Sequence, residues 1–142
     1  MPRPAPYGFS RQVVVLHIPF ATFLSTTGAL VRVLSKTLGF RATLEKVEIV
    51  SSVIATGAGA SRVINVRKGS ATGTIIGTIT ALLADGSAAG IVKVGTVTTA
   101  ADVNSLGDAD TLTVEFPSGG TVFTAGTFDL VLTFRSQAQR AA

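Results

Sequence analysis

Residues 44–67, LEKVEIVSSVIATGAGASRVINVR, decide the fold class of this chain. Two runs dense in Val, Ile and Thr flank a turn of small residues, Thr56-Gly57-Ala58-Gly59-Ala60. β-Branched side chains are stiff at χ1 and pack well on a pleated surface, whereas Gly enters the left-handed region of tight turns without steric cost. The segment predicts a β-hairpin, and the same grammar of short strand, small-residue turn and strand continues towards residue 142.

Upstream, residues 12–20, QVVVLHIPF, are apolar at both alternating positions. That predicts a strand buried on both sides, by its own core and by something else. Residues 29–38, ALVRVLSKTL, fit a second strand or a short helix, closed by Gly39. Between residues 45 and 53, Val47, Ile49 and Val53 are expected on one strand face with Lys46 and Glu48 on the other. Residues 61–68, 75–83 and 91–98 supply further strands, punctuated by a loop at 69–73 and the turn Asp85-Gly86-Ser87. Residues 100–110 are polar and predict a long loop with a helical turn. The strictest alternation comes last: Leu112, Val114 and Phe116 against Thr111, Thr113 and Glu115, then Phe128, Leu130, Leu132 and Phe134 against Asp129, Val131, Thr133 and Arg135. A period of two marks half-buried antiparallel strands. About eight strands at short spacing predict an all-β chain, an antiparallel β-sandwich or jelly roll. Pro2, Pro4 and Pro6 disfavour helix, so residues 1–9 read as an extended arm with Tyr7 and Phe9 as apolar anchors. Residues 10–135 form the single domain, and 136–142 a polar, flexible tail.

With 142 residues the chain can bury roughly two-thirds of its unfolded surface. Apolar residues make up 46% and charged residues only 14%, well under the usual quarter. So thin a charge risks insolubility for a lone monomer, and one remedy is an assembly that covers the apolar surface. There is no Cys, which excludes disulfides and thiolate metal sites. No apolar run is long enough to span a bilayer, and MPRPAPYGFS lacks the pattern of a secretory signal, so a soluble chain made in the cytosol is expected. Residues 1–46 hold Arg3, Arg11, Arg32, Lys36, Arg41 and Lys46 against Glu45 alone, a balance of +5; the remainder carries six basic and seven acidic residues. These basic residues are scattered singly through apolar sequence, which argues against direct nucleic-acid contact and for solvated or inter-subunit ion pairs.

Catalytic chemistry finds little purchase. His17 is the only histidine and sits among Val15, Leu16 and Ile18, where a hydrogen-bonded structural imidazole is expected rather than a base. The Gly57-Ala58-Gly59 turn has no third Gly and no following helix to hold a phosphate. Asp102, Asn104, Asp108 and Asp110 with Gly107 have a composition that calcium favours, but Leu106 and Thr113 stand where an EF-hand needs oxygen ligands, so a solvated loop is expected. Glu45, Glu48 and Glu115 fall on outward strand positions and make no pair across a cleft. No enzyme activity and no cofactor are expected.

The stretch from residue 40 to 135 resembles a group of small virion proteins of tailed bacteriophages, among them capsid decoration (cement) proteins and head- or tail-fibre modules. The resemblance is carried by Asn65-Val66-Arg67-Lys68, Gly73-Thr74-Ile75-Ile76-Gly77-Thr78, Asp110-Thr111-Leu112-Thr113-Val114 and Leu130-Val131-Leu132-Thr133-Phe134. It implies a structural protein on the outer capsid surface of a virion, a homotrimer bound to the major capsid protein and stabilising the assembled shell. In that setting Arg3, Tyr7 and Phe9 of the arm would lie over neighbouring capsid or sister subunits, and Arg11, Arg32, Lys36 and Arg41 would pair with acidic capsid surface. A rival expectation is a fibre module that binds host glycan, although one Tyr and no Trp make a poor aromatic platform.

Overall fold

A computed structural model describes residues 13–21, 30–34, 41–70, 72–100, 103–107, 109–117, 121 and 123–136. The arm (residues 1–9, with Arg3, Tyr7 and Phe9), Arg11, Lys36 and residues 137–142 lie outside the described residues. Among the described residues, ten strands follow one another: β1 Val13–Ala21, β2 Leu30–Leu34, β3 Ala42–Thr56, β4 Ser61–Lys68, β5 Thr74–Leu82, β6 Val92–Val94, β7 Thr96–Val97, β8 Ser105–Leu106, β9 Leu112–Phe116 and β10 Ala125–Ser136. One turn of 3-10 helix, Leu83–Gly86, follows β5.

The strands form two antiparallel sheets. The first has the order β1-β10-β3-β6, with β8 also on β3; the second has the order β2-β9-β4-β5-β7. Leaving aside the two-residue β7 and β8, the chain pairs first strand with last (β1–β10), second with second-last (β2–β9), third with third-last (β3–β6) and the middle two (β4–β5). A long antiparallel hairpin rolled up in this way is a jelly roll, so the expected all-β sandwich takes its jelly-roll form.

The opening segment folds differently from its expectation. β3 and β4 lie in different sheets and do not pair. β3 has β10 on one edge and β6 with β8 on the other, while β4 lies between β9 and β5, so neither has an edge left for a hairpin. The small-residue turn carries the chain from one sheet to the other, with Gly57 and Gly59 at positive φ and Ala60 N donating to Gly57 O at 3.2 Å. Local sequence marks the turn correctly; which strands pair is settled by the rest of the sandwich.

A second correction concerns Val53. Against β10, β3 carries an extra residue in three places, between Leu44 and Lys46, between Ser51 and Val53, and between Val53 and Thr56, where the register slips. Each bulge reverses the in–out parity downstream. Ser51 opposite Phe128 is buried, but Val53 opposite Thr127 joins the outer face and is 55% exposed, away from buried Val47 and Ile49.

The expected strand at residues 91–98 is two strands around a corner. β6 pairs with β3 in the first sheet, and β7 pairs with β5 in the second. Gly95 makes the corner, its N–H donating to Val47 O at 2.7 Å. The two sheets are thereby stitched together along one margin. Residues 103–106 add a turn and β8, which pairs with Ala42 and Thr43.

Alternation does the rest. Leu44, Val47, Ile49, Leu130, Leu132 and Phe134 from the first sheet meet Ile64, Val66, Ile76, Leu112 and Val114 from the second, each essentially without solvent contact. Each such side chain contributes about 1.5–3 kcal/mol through burial. Phe123 and Phe128 close one end of this core edge to face, with ring centroids 5.5 Å apart.

Candidate functional site

The two outward sheet faces differ in chemistry. That of the second sheet is mostly polar and bonded to itself, with Val63, 37% exposed, as an apolar exception. Arg67 on β4 pairs through Nε with Glu115 on β9, and its Nη1 donates to Gly73 O at 2.6 Å. Thr78 Oγ1 donates to Asn65 Oδ1 at 2.9 Å. Thr113, an outward position on β9, is nonetheless 0% exposed, and its hydroxyl donates to Gly69 O. Glu115, expected to look outward, does so, with Arg67 holding it against the sheet.

The outward face of the first sheet is apolar. Its register sets Val92, Val50 and Asp129 in one row and Val94, Glu48 and Val131 in the next. Val92 is 53% exposed and Val94 56%, and with Val53 they form a valine-rich surface around partly buried Val50. Among the described residues, charge borders it at Asp129, at Glu48, which faces Lys46 at 3.5 Å, and at the Glu45–Arg135 pair. At one end of the face, exposed Arg135 donates from Nε to Glu45 Oε1 at 2.6 Å, and this bond with the carboxylate's charge holds the guanidinium above its ordinary pKa.

At the end of the sandwich where the chain crosses between sheets lies a shallow groove of about 630 Å³. Ile54, Ala55, Thr56, Gly57, Ala58, Leu83, Ala84 and Ser87 line it, none of them ionisable. Such a lining can take an apolar side chain but cannot move a proton or ligate a metal. Beside it, Asp85 Oδ2 accepts from Leu82 N at 2.7 Å and from Lys93 Nζ at 2.8 Å, which ties the 3-10 turn to β6.

In the oxygen-rich loop, Asn104 and Asp110 serve the backbone. Buried Asn104 donates from Nδ2 to Leu44 O at 2.8 Å, and its own carbonyl accepts from Leu44 N at 3.0 Å, so it acts as a strand partner. Asp110 Oδ2 accepts from Gly107 N at 2.7 Å and faces Lys68 Nζ at 3.7 Å. Asp102 and Asp108 lie outside the described residues.

Of the interface residues expected from sequence, Arg32 and Arg41 fall in described segments. Arg32 is on β2 in the second sheet, the Cα partner of Val114, whereas Arg41 immediately precedes β3 in the first. The fold thus assigns them to different sheets. Arg41 is exposed and, among the described residues, enters no ion pair, while Lys46, Arg67, Lys68, Lys93 and Arg135 all do. His17 lies on β1 as the Cα partner of Val131. Sequence reading passed over Arg62, which at 1% exposure is the bulkiest fully buried side chain among the described residues and faces inward on β4 between Ala60 and Ile64. Its position at an inward site of the alternation was the available signal.

No family model matches the chain, and no curated protein does. Among solved structures, it is similar to a chain in the structure of infectious bursal disease virus, Gx strain, at 12% identity and a TM-score of 0.36. The similarity covers 93% of this chain and 38% of that one, so the chain spans well under half the length of its structural neighbour.

Proposed function

We propose that this chain is a non-enzymatic structural subunit of a phage virion, a decoration protein that binds the assembled shell from outside and stabilises it. The observation that carries the reading is the contrast between the two outward faces. One is largely closed by its own hydrogen bonds and ion pair, with Val63 37% exposed, while the other leaves Val53, Val92 and Val94 more than half exposed. Apolar surface of this kind is expected on a protein that works within an assembly. The low charge content and the unionisable groove support the same conclusion.

In this reading the major capsid protein is the partner and three copies act together. Multivalent attachment turns weak single contacts into firm retention without any strong individual bond. Arg11, Lys36 and exposed Arg41 form the set that pairs with the shell, residues 1–9 lie over a sister subunit or the neighbouring shell, and Arg32, on the other sheet, serves a sister subunit. The test is cosedimentation of the purified chain with shells that lack it. Saturable binding that weakens on deletion of residues 1–9 supports the reading. Failure to bind shells, combined with binding on a glycan array, would transfer the chain to the fibre class.

A further inference from the structure

The two margins of the sandwich are unlike. One is stitched by Gly95, where β6 of the first sheet becomes β7 of the second. The other ends on β1 and β2, and among the described residues no strand pairs with the far edge of β1. That edge is nine residues long, pairs with β10 without a register shift, and contains no Lys, Arg, Asp or Glu in VVVLHIPFA. Natural sheets protect such edges with charges, bulges or a covering segment, because an unpaired row of N–H and C=O groups invites another strand.

The hydrogen bonds on β3 establish which groups form that row. Val47 O accepts from Gly95 N at 2.7 Å, Ser51 O from Gly90 N at 2.7 Å, and Leu44 N donates to Asn104 O at 3.0 Å. These three residues therefore turn their main-chain groups away from β10. Their partners Leu132, Phe128 and Phe134 must then direct theirs to β1, at Leu16, Phe20 and Val14. Ser52 Oγ donating to Thr127 O at 3.1 Å fits, since it shows the alternate carbonyl facing β3. It follows that Val13, Val15, His17, Pro19 and Ala21 present their main-chain groups to the open edge. Pro19, which has no N–H, falls in the set where β10 loses nothing by it.

We propose that this edge is completed by residues 3–9 of a second copy's arm, added as an outer strand. In an extended chain successive N–H groups alternate between the two edges. Pro2, Pro4 and Pro6 therefore strip one edge of the arm of three donors, and Arg3, Ala5, Tyr7 and Phe9 keep all of theirs on the other. The arm is a one-sided strand: it can join a sheet through its complete edge, and its donor-poor edge then stops further growth. The row on β1 is the matching template for strand addition. A return of the arm onto its own β1 would require Ser10-Arg11-Gln12 as a three-residue hairpin loop, which has Ser10 but no Gly or Asn for the left-handed position such loops use. Exchange between copies removes that requirement. The inference needs only self-association of the chain and stands independently of the virion reading.

Sedimentation equilibrium on the full chain, a variant lacking residues 1–9, Ala5→Pro and Pro4→Ala tests it. The full chain and Pro4→Ala sediment at the same multiple of the monomer mass, Ala5→Pro associates roughly tenfold more weakly through loss of one inter-strand donor, and the deletion is monomeric. A monomeric full chain, an oligomer that survives the deletion, or equal effects of the two point variants would overturn the proposal. The chain has no cysteine, so Tyr7→Cys mixed with single cysteines at Val13, Val15 or His17 gives interchain disulfides on oxidation. Disulfides forming only within one chain of the corresponding double variants would return the arm to its own β1 and overturn exchange.

Discussion

A Cβ placed on Gly95 would lie 2.5 Å from the main-chain oxygen of Thr78, closer than real Cβ contacts come. Gly95 is where the chain leaves β6 for β7, and the same atom would press on Ile79 Cβ at 2.7 Å. The corner that joins the two sheets has room for hydrogen and nothing larger.

Gly95→Ala is therefore expected to destabilise the fold by about 1–3 kcal/mol, the range for forcing extra carbon into a packed site. Its denaturant midpoint falls with the m-value unchanged. Unaltered stability would mean that the corner is looser than its geometry.

Asn104 supplies a second test, because it joins the loop before β8 to the start of β3 from a buried position. Asn104→Ala strands the Leu44 carbonyl without its side-chain donor and costs about 1–3 kcal/mol. Addition of calcium to the wild-type chain should leave the thermal midpoint where it is, since Asn104 and Asp110 already serve the backbone. A calcium-dependent rise would contradict that assignment of their roles.

On the polar face, Glu115→Gln removes the charge that faces Arg67 in a setting where both side chains are largely shielded. A loss of about 1–2 kcal/mol is expected in chemical denaturation, in keeping with a charge-assisted bond. Lys46→Gln, breaking the more exposed pair with Glu48, should change stability by less than about 0.5 kcal/mol. Equal effects would show that shielding by the sheet is not what strengthens the first pair.

The apolar face predicts the opposite pattern. Val92→Ser with Val94→Ser replaces two side chains that are more than half exposed, so folding stability should stay within about 0.5 kcal/mol per site. The concentration at which the isolated chain begins to self-associate or precipitate should rise. A collapse in stability would mean that the valines belong to the core.

Much of this architecture was legible from alternation. Leu112 to Phe116 and Phe128 to Phe134 read as half-buried strands, and their inward sets are buried as read, because a period of two survives whichever neighbours the strand acquires; Thr113 and Val131 of the outward sets are buried as well. Pairing was less legible. The Gly57–Ala60 turn reads locally as a hairpin, yet it links two sheets, since strand partners depend on edges filled by residues far away in sequence. Val53 was misplaced for a related reason: a bulge leaves no mark in the pattern of Val and Ser, but it turns Val53 to the outer face before a second slip returns Ala55 to the core. Gly95 looked like one glycine within a strand, and only the opposing sheet explains why nothing larger fits. The interface residues were read from charge and from a resemblance, and most of them lie outside the described residues; the exposed valine face was instead hidden by apolar positions that look like core.

The central claim is that this chain is a virion subunit bound to the outside of an assembled shell. Quantitative mass spectrometry of purified particles, before and after a mild denaturant wash, tests it most directly. The account predicts a copy number close to that of the major capsid protein, with the chain released by the wash while the shell stays intact. Absence from the particles, a few copies per particle, or release only when the shell itself ruptures would contradict it.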